Sequence, residues 1–365
     1  MIDSLRVSGF KVLDDVKLPN LGRLNLFLGE NNTGKSCLLE AVSLYAGRMP
    51  IADLLQVAAE RSNERLQPWE IDGLTEEGTS VTHPIFELFH RKSNSPAKAI
   101  FIGKIRDSAP LLIECIPHKR VLNEDGLSGY VPVPSEDISV DGAEMALVIR
   151  RGDKKVGLLT RGRLRISGSA NSEKIPNEDA QSVAFVPSGG FSEEKAAAAW
   201  DALVQGPGQE LVLTWLRMLD PSIEDLVFIA GRRQSRLALL KIKGQRRIPL
   251  RSMGDGLTRL FHIAVAMASS SKGVLLIDEF ENGLHWSVQK TLWTAIAKAA
   301  SDYDLQVFAT THSRDCIEAF SEAAEHTGPE VARMYRLQRI ENNVSAMELP
   351  LQNVAAAIRE HEEVR

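Results

Sequence analysis

An eight-residue run, Gly29-Glu30-Asn31-Asn32-Thr33-Gly34-Lys35-Ser36, constrains this chain more than any other feature in it. It matches the pattern G-x-x-x-x-G-K-S/T. It follows a stretch with apolar residues at period two (Leu24, Leu26, Leu28) and precedes one with the apolar spacing of a helix (35–46), which Gly47 can end. Strand, loop and helix in that order let the backbone curl so that its N–H groups face a phosphate chain, and the helix N-terminus adds partial positive charge. Gly29 and Gly34 supply the curl, Lys35 is placed to reach β- and γ-phosphates, and the Ser36 hydroxyl is placed to ligate Mg2+.

A second run, 274–277 (Val-Leu-Leu-Ile), ends in Asp278 and Glu279, the form of a buried strand that delivers two acids to its C-terminal edge. Asp278 is expected to hold Mg2+ together with Ser36, and Glu279 to polarise an attacking water. Taken alone, such an acidic pair more often caps a turn; downstream of the loop 29–36 the catalytic reading prevails. Ser252-Met253-Gly254-Asp255-Gly256 precedes another helix. It is either a second anion site or a pair of side-chain helix caps, and its position between the other two motifs favours the first. Thr310-Thr311-His312-Ser313 follows a strand at 306–310 and sets His312 at a strand end, where the γ-phosphate edge should fall.

Around these motifs, residues 1–28 read as strands. Residues 50–182 carry scattered Pro, Ser, Asn and Gly with strand-like runs at 99–105, 111–116, 146–149 and 155–159, as expected of an inserted lobe of antiparallel strands and loops. No heptad pattern for a coiled-coil arm is present. Beyond 183 the spacing predicts a strand at 183–186, helices over 193–205 and 209–219, a hairpin over 226–250, a helix over 256–269, a helix over 287–300 and a polar, helical tail. The expected division is 1–49 and 183–325 as two parts of one α/β domain with a mostly parallel sheet, 50–182 as the insert and 326–365 as the tail.

Composition removes several classes. With 44% hydrophobic and 25% charged residues the chain can bury a large core. No apolar run approaches the roughly 20 residues of a membrane helix, and 1–10 alternates like a strand rather than a signal peptide. Three dispersed cysteines, Cys37, Cys115 and Cys316, argue for a reducing, cytoplasmic setting. A net charge of −5 gives no global pull toward nucleic acid. Yet 231–251 holds Arg232, Arg233, Arg236, Lys241, Lys243, Arg246, Arg247 and Arg251 without an acid. That stretch is either a DNA-facing patch or the exposed face of a hairpin.

The four motifs in this order resemble the ABC ATPase superfamily, with Walker A at 29–36, a signature at Ser252, Gly254 and Gly256, Walker B at 274–279 and a switch histidine at His312. The runs 29–32 and 278–285 are similar to the branch holding RecF, the SMC heads and the OLD (overcoming lysogenization defect) nucleases. This resemblance, over 1–45 and about 183–320, implies an ABC-type P-loop head that hydrolyses ATP with Mg2+. It implies nucleotide contacts from Gly29, Asn31, Asn32, Thr33, Gly34, Lys35, Ser36 and Cys37, and from Ser252, Gly254, Asp255 and Gly256. The catalytic set is Glu279, His312 and Lys35, and the metal ligands are Ser36 and Asp278. It also implies a head-to-tail homodimer, or a larger assembly of it, with each ATP between Walker A of one chain and the signature of the other and with 281–285 between the two sites. Two departures stand out. Where the family often has a metal-contacting Gln, this chain reads Pro187-Ser188-Gly189-Gly190, which points to slow hydrolysis. The metal cluster of a Toprim nuclease has no counterpart, since Asp302 and Asp304 suit a solvated loop. The expected role is an ATP-driven switch or motor in defence against foreign DNA with a separately encoded nuclease or toxin effector; the alternatives are a RecF-like repair ATPase and a non-catalytic ATP-gated scaffold.

Overall fold

The computed structural model describes residues 1–47, 88–92, 95–96, 99–122, 128–133, 143–152, 154–160, 163–165, 181–204, 206–231, 236–270, 272–328, 331–341 and 343–354. The chain begins with β1 (Leu5–Phe10), β2 (Leu13–Leu18), β3 (Leu24–Leu28) and α1 (Lys35–Ala46). The lobe contributes β4 (Arg91–Lys92), β5 (Ser95–Pro96), β6 (Ala99–Gly103), β7 (Leu111–Leu122), β8 (Ser128–Pro132), β9 (Ala143–Arg151), β10 (Lys154–Thr160) and β11 (Arg163–Arg165). Then come β12 (Ser182–Val186), α2 (Glu193–Asp201), α3 (Pro207–Leu219), β13 (Ile223–Ala230), β14 (Arg236–Ile242) and β15 (Ile248–Pro249). The last part holds α4 (Asp255–Ser269), β16 (Gly273–Ile277), α5 (Trp286–Asp302), β17 (Gln306–Thr311), α6 (Arg314–Thr327), β18 (Ala332–Ile340) and β19 (Asn343–Glu348).

The main sheet has the order β12-β16-β17-β3-β18-β19 and is parallel except for its last pair. β3 and β16 are buried at every position, which is why both read as continuous or nearly continuous apolar runs: a parallel strand covered on both faces has no solvent side. Successive side chains serve opposite faces. Leu24, Leu26, Leu28, Leu275, Ile277 and Val307 pack toward α4, α5 and α6. Phe27, Val274, Leu276 and Phe308 pack toward α1 and the first strands of the chain. Those first strands belong to an antiparallel sheet, β11-β10-β9-β7-β6-β1-β2 with β8 beside β7, so the strands of the expected insert continue the sheet started by β1 through the β1–β6 pairing.

The tail departs from expectation. Most of its described part is strand, not helix: 332–348 forms β18 and β19, β18 adds to the main sheet beside β3, and only a short turn at 351–354 is helical beyond them. Arg333, Arg336 and Arg339 make the segment look polar, while Ala332, Met334, Tyr335 and Leu337 are buried against the sheet, and pairing with β3 decides the conformation. The predicted hairpin is a three-stranded sheet, β13-β14-β15. No described helix is long and apolar enough to cross a membrane.

Candidate nucleotide site

The loop between β3 and α1 has the backbone its glycines require. Gly34 has φ 87°, and a Cβ there would lie 2.8 Å from Val12 Cγ2. At Gly29 (φ 149°) a Cβ would run into the Leu337 carbonyl oxygen, so β18, on the far side of β3, closes the loop's floor. Asn32 takes the left-handed conformation without being glycine, and the Thr33 hydroxyl donates to the Glu30 carbonyl at 2.9 Å. Asn31 and Asn32 are exposed at the rim, whereas the Cys37 side chain lies in the core behind the loop. Lys35 lies back across the loop, its Nζ donating to the carbonyls of Gly29 and Glu30, each at 2.7 Å. Burial pushes its ammonium below the ordinary lysine value, against the opposing pull of the Asp278, Glu279 and Glu281 carboxylates.

The sheet order brings the second motif to this loop. β17 lies between β3 and β16, and its Thr310 hydroxyl donates to Asp278 Oδ1 at 2.6 Å and accepts from the Glu279 N–H at 2.8 Å. The other Asp278 oxygen, Oδ2, accepts from Ser36 Oγ at 2.9 Å. Residues 242 positions apart thus meet at one buried carboxylate. A hydroxyl and a carboxylate are hard oxygen donors, the kind Mg2+ prefers.

Glu279 follows with φ 48°, a left-handed conformation that costs a non-glycine residue roughly 1 kcal/mol. Arg259 of α4 holds this turn. Its Nη2 donates to the carbonyls of Asp278 (2.5 Å) and Glu279 (3.0 Å), and its Nη1 to that of Pro187 (2.6 Å) in the loop after β12. Burial lowers the guanidinium to about 10, again against the pull of Asp278, Glu281 and Glu279. Sequence reasoning passed over Arg259; the signal is a lone cation among Leu257, Leu260, Phe261 and Ile263 on the buried face of its helix.

A family model described as "AAA domain, putative AbiEii toxin, Type IV TA system" matches residues 120–315. The chain belongs to this AAA family. It is an ATPase. A relative from Helicobacter pylori (strain ATCC 700392 / 26695), named "ATP/GTP phosphatase", is 24% identical over 87% of either chain. Among solved structures, an Smc head bound to the C-winged helix domain of ScpA matches with a TM-score of 0.54 at 13% identity, covering 97% of this chain and 99% of that one. An Smc head with coiled coil and joint from Pyrococcus yayanosii gives 0.51 at 10% identity, covering 99% of each. These two establish the fold of the AAA domain as that of SMC-type heads.

In this AAA domain the remaining predicted residues fall in two places. The His312 N–H donates to Glu281 Oε1 at 2.9 Å, and its Nδ1 lies 3.2 Å from the same oxygen, so the half-exposed imidazole is paired with Glu281 at the end of β17. Glu281 Oε2 is buried with no hydrogen-bond partner among the described residues. Ser252 lies in a 3-10 turn (Leu250–Met253), and α4 starts on Gly254 (φ 96°) with no side-chain cap, so Ser252 and Asp255 are not the helix caps that one reading made them. Ser252, Gly254 and Asp255 are exposed. Gly256 is packed: a Cβ there would lie 2.7 Å from the Gly283 carbonyl, in the loop 281–285 of the same chain.

The basic stretch is less bare than its sequence suggests. Arg232 and Arg233 lie outside the described residues. Arg236 pairs with Asp201, Lys241 with Glu224 (2.9 Å) and Arg251 with Glu193 (3.2 Å), all acids supplied from outside the stretch. Lys243, Arg246 and Arg247 are exposed between β14 and β15 and make no ion pair among the described residues. Asp304 pairs with Arg23 at 3.2 Å, and no group of three or more potential metal ligands occurs among the described residues.

One buried titratable group gives a stability prediction. His262, one turn after Arg259, accepts at Nδ1 from the Phe191 N–H (3.3 Å), a role open only to the neutral ring. Burial, aided by the Arg259 and Arg251 charges, pushes it from 6.5 down to about 4. The unfolded chain therefore takes up this proton first, so the contribution of His262 to stability is full above about pH 6.5 and is lost as the pH falls toward 4. His262→Gln, which keeps an acceptor and removes the titration, is expected to lose less melting temperature than wild type between pH 7 and pH 5. An unchanged pH slope in the variant contradicts the assignment.

Proposed function

We propose that this AAA ATPase holds ATP with Mg2+ at the loop 29–36 and hydrolyses it at a site shared by two copies of the chain. Backbone N–H groups from Gly29 to Cys37 and the Lys35 ammonium take the phosphates, and Ser36 and Asp278 hold Mg2+, which neutralises phosphate charge when bound. Glu279 polarises the attacking water and His312 stands at the γ-phosphate edge. The observation that carries this reading is the convergence of Ser36 and Thr310 on the two oxygens of Asp278. It provides a hard-oxygen pair beside a phosphate loop, with Glu279 next in the chain.

Two copies enter because the start of α4 is built like an anion site yet is exposed. The uncapped N–H groups around Gly254 suit a γ-phosphate presented by a second head-to-tail copy, with Ser252, Asp255 and Gly256 beside them. We further infer an OLD-like branch, acting in the cytoplasm as the switch or motor of a defence system with a separate effector. The toxin–antitoxin description of the family favours that setting. The exposed tip Lys243, Arg246 and Arg247 favours the second reading, a RecF-like ATPase that contacts DNA.

The shared site is testable by complementation. Gly256 is a poor probe, because bulk there strikes Gly283 of its own chain. Ser252→Arg places charge on an exposed position instead. Ser252→Arg and Lys35→Ala chains are each expected to be inactive alone, and a mixture after subunit exchange to recover part of the phosphate release, since a mixed pair has one intact loop facing one intact signature. Full activity of Ser252→Arg alone, or no recovery after demonstrated exchange, contradicts the shared site.

A further inference from the structure

The Glu279 carboxylate is held by a group that neither the phosphate loop nor the Asp278 cluster uses. Its Oε2 accepts a hydrogen bond of 2.6 Å from Asn282 Nδ2. The same amide nitrogen lies 3.4 Å from the Ser188 carbonyl. The Asn282 N–H also meets the Glu279 carbonyl at 3.1 Å, so one tight turn fixes the spacing of the two side chains. Ser188 belongs to the loop after β12, and Arg259 fastens that loop, through Pro187, to the carbonyls of Asp278 and Glu279. The Asn282 amide therefore links the carboxylate side chain to a loop whose backbone is anchored independently. An amide suits that position chemically: it donates two hydrogens, has no proton to yield to the carboxylate, and carries no charge that would attract or repel a phosphate.

We propose that Asn282 is a positioning residue for hydrolysis: it holds the Glu279 carboxylate in the orientation from which it polarises water, and it ties that orientation to the loop 187–190. This rests on the assignment of Glu279 as the water-polarising group. A purely structural role fits the surroundings less well. Glu279 and Asn282 are only half-buried, so water can satisfy both when they part, and Arg259 still joins the loop to the strand end without Asn282.

The test is a double-mutant cycle on the full chain, read by single-turnover phosphate release and by ATP binding. Asn282→Ala removes the amide. Asn282→Asp keeps its size and turn preference while removing both donors and adding a charge that repels Glu279. Each is expected to lower the hydrolysis rate about tenfold, with ATP affinity and KM within about twofold of wild type. In a Glu279→Gln background neither is expected to add a further loss, because the group they position is already gone. An unchanged rate in folded Asn282→Ala and Asn282→Asp overturns the proposal, and so does an equal loss in both backgrounds. If Glu279→Gln alone hydrolyses ATP like wild type, the assignment of Glu279 has failed. If Glu279→Gln is slow while the Asn282 variants are not, only the positioning role has failed.

Discussion

Replacing Glu279 by Gln is expected to slow ATP hydrolysis by about 10²- to 10³-fold while leaving ATP affinity near the wild-type value. The amide keeps the length and shape of the side chain, so the turn at φ 48° and the Arg259 contacts to the Asp278 and Glu279 carbonyls are undisturbed. What is lost is the negative charge that draws a proton from water as it attacks. A factor of that size corresponds to about 3–4 kcal/mol of transition-state stabilisation, well above the loss expected from an altered hydrogen bond at the edge of a site. ATP should then accumulate uncleaved, and pairs of chains should persist in its presence as seen by light scattering. Wild-type turnover by a folded Glu279→Gln chain rules out the catalytic role.

The phosphate loop and the two acids of β16 were legible because each depends on residue type at a fixed place in the chain. A left-handed backbone at Gly34 and a buried floor under Gly29 need glycine, and a strand end that delivers carboxylates needs an apolar run before Asp278. The partners that hold those acids were not legible. Thr310 reaches Asp278 only because β17 inserts between β3 and β16, a consequence of strand order that no local pattern states. Arg259 acts on carbonyls brought close by the tertiary fold and belongs to no motif, while Asn282, although inside the run 278–285, meets the Glu279 carboxylate only through the turn that follows β16.

What the sequence left open or differed on has the same origin. The stretch 231–251 contains no acid, yet Asp201, Glu224 and Glu193 reach three of its cations from neighbouring elements. Residues 332–348 looked like a polar helix because arginines interrupt them, and they are strands because β3 offers an edge to pair with. His312 was correctly placed at a strand end; its pairing with Glu281 follows from the turn after β16, which the sequence alone did not define.

Lys35→Ala is expected to weaken ATP binding by at least about 10²-fold, because the phosphate chain loses the one side-chain cation of the loop 29–36. The substitution also leaves the Gly29 and Glu30 carbonyls without the donor they have at 2.7 Å, at a cost of about 1–3 kcal/mol in stability, so the variant must first be shown to be folded by its thermal transition. An equilibrium titration of the folded variant and of wild type with ATP in the presence of Mg2+ then tests directly whether the loop 29–36 is the nucleotide site. Saturable binding by wild type and none by Lys35→Ala over the same concentration range is the predicted result; equal affinity of the two would contradict it.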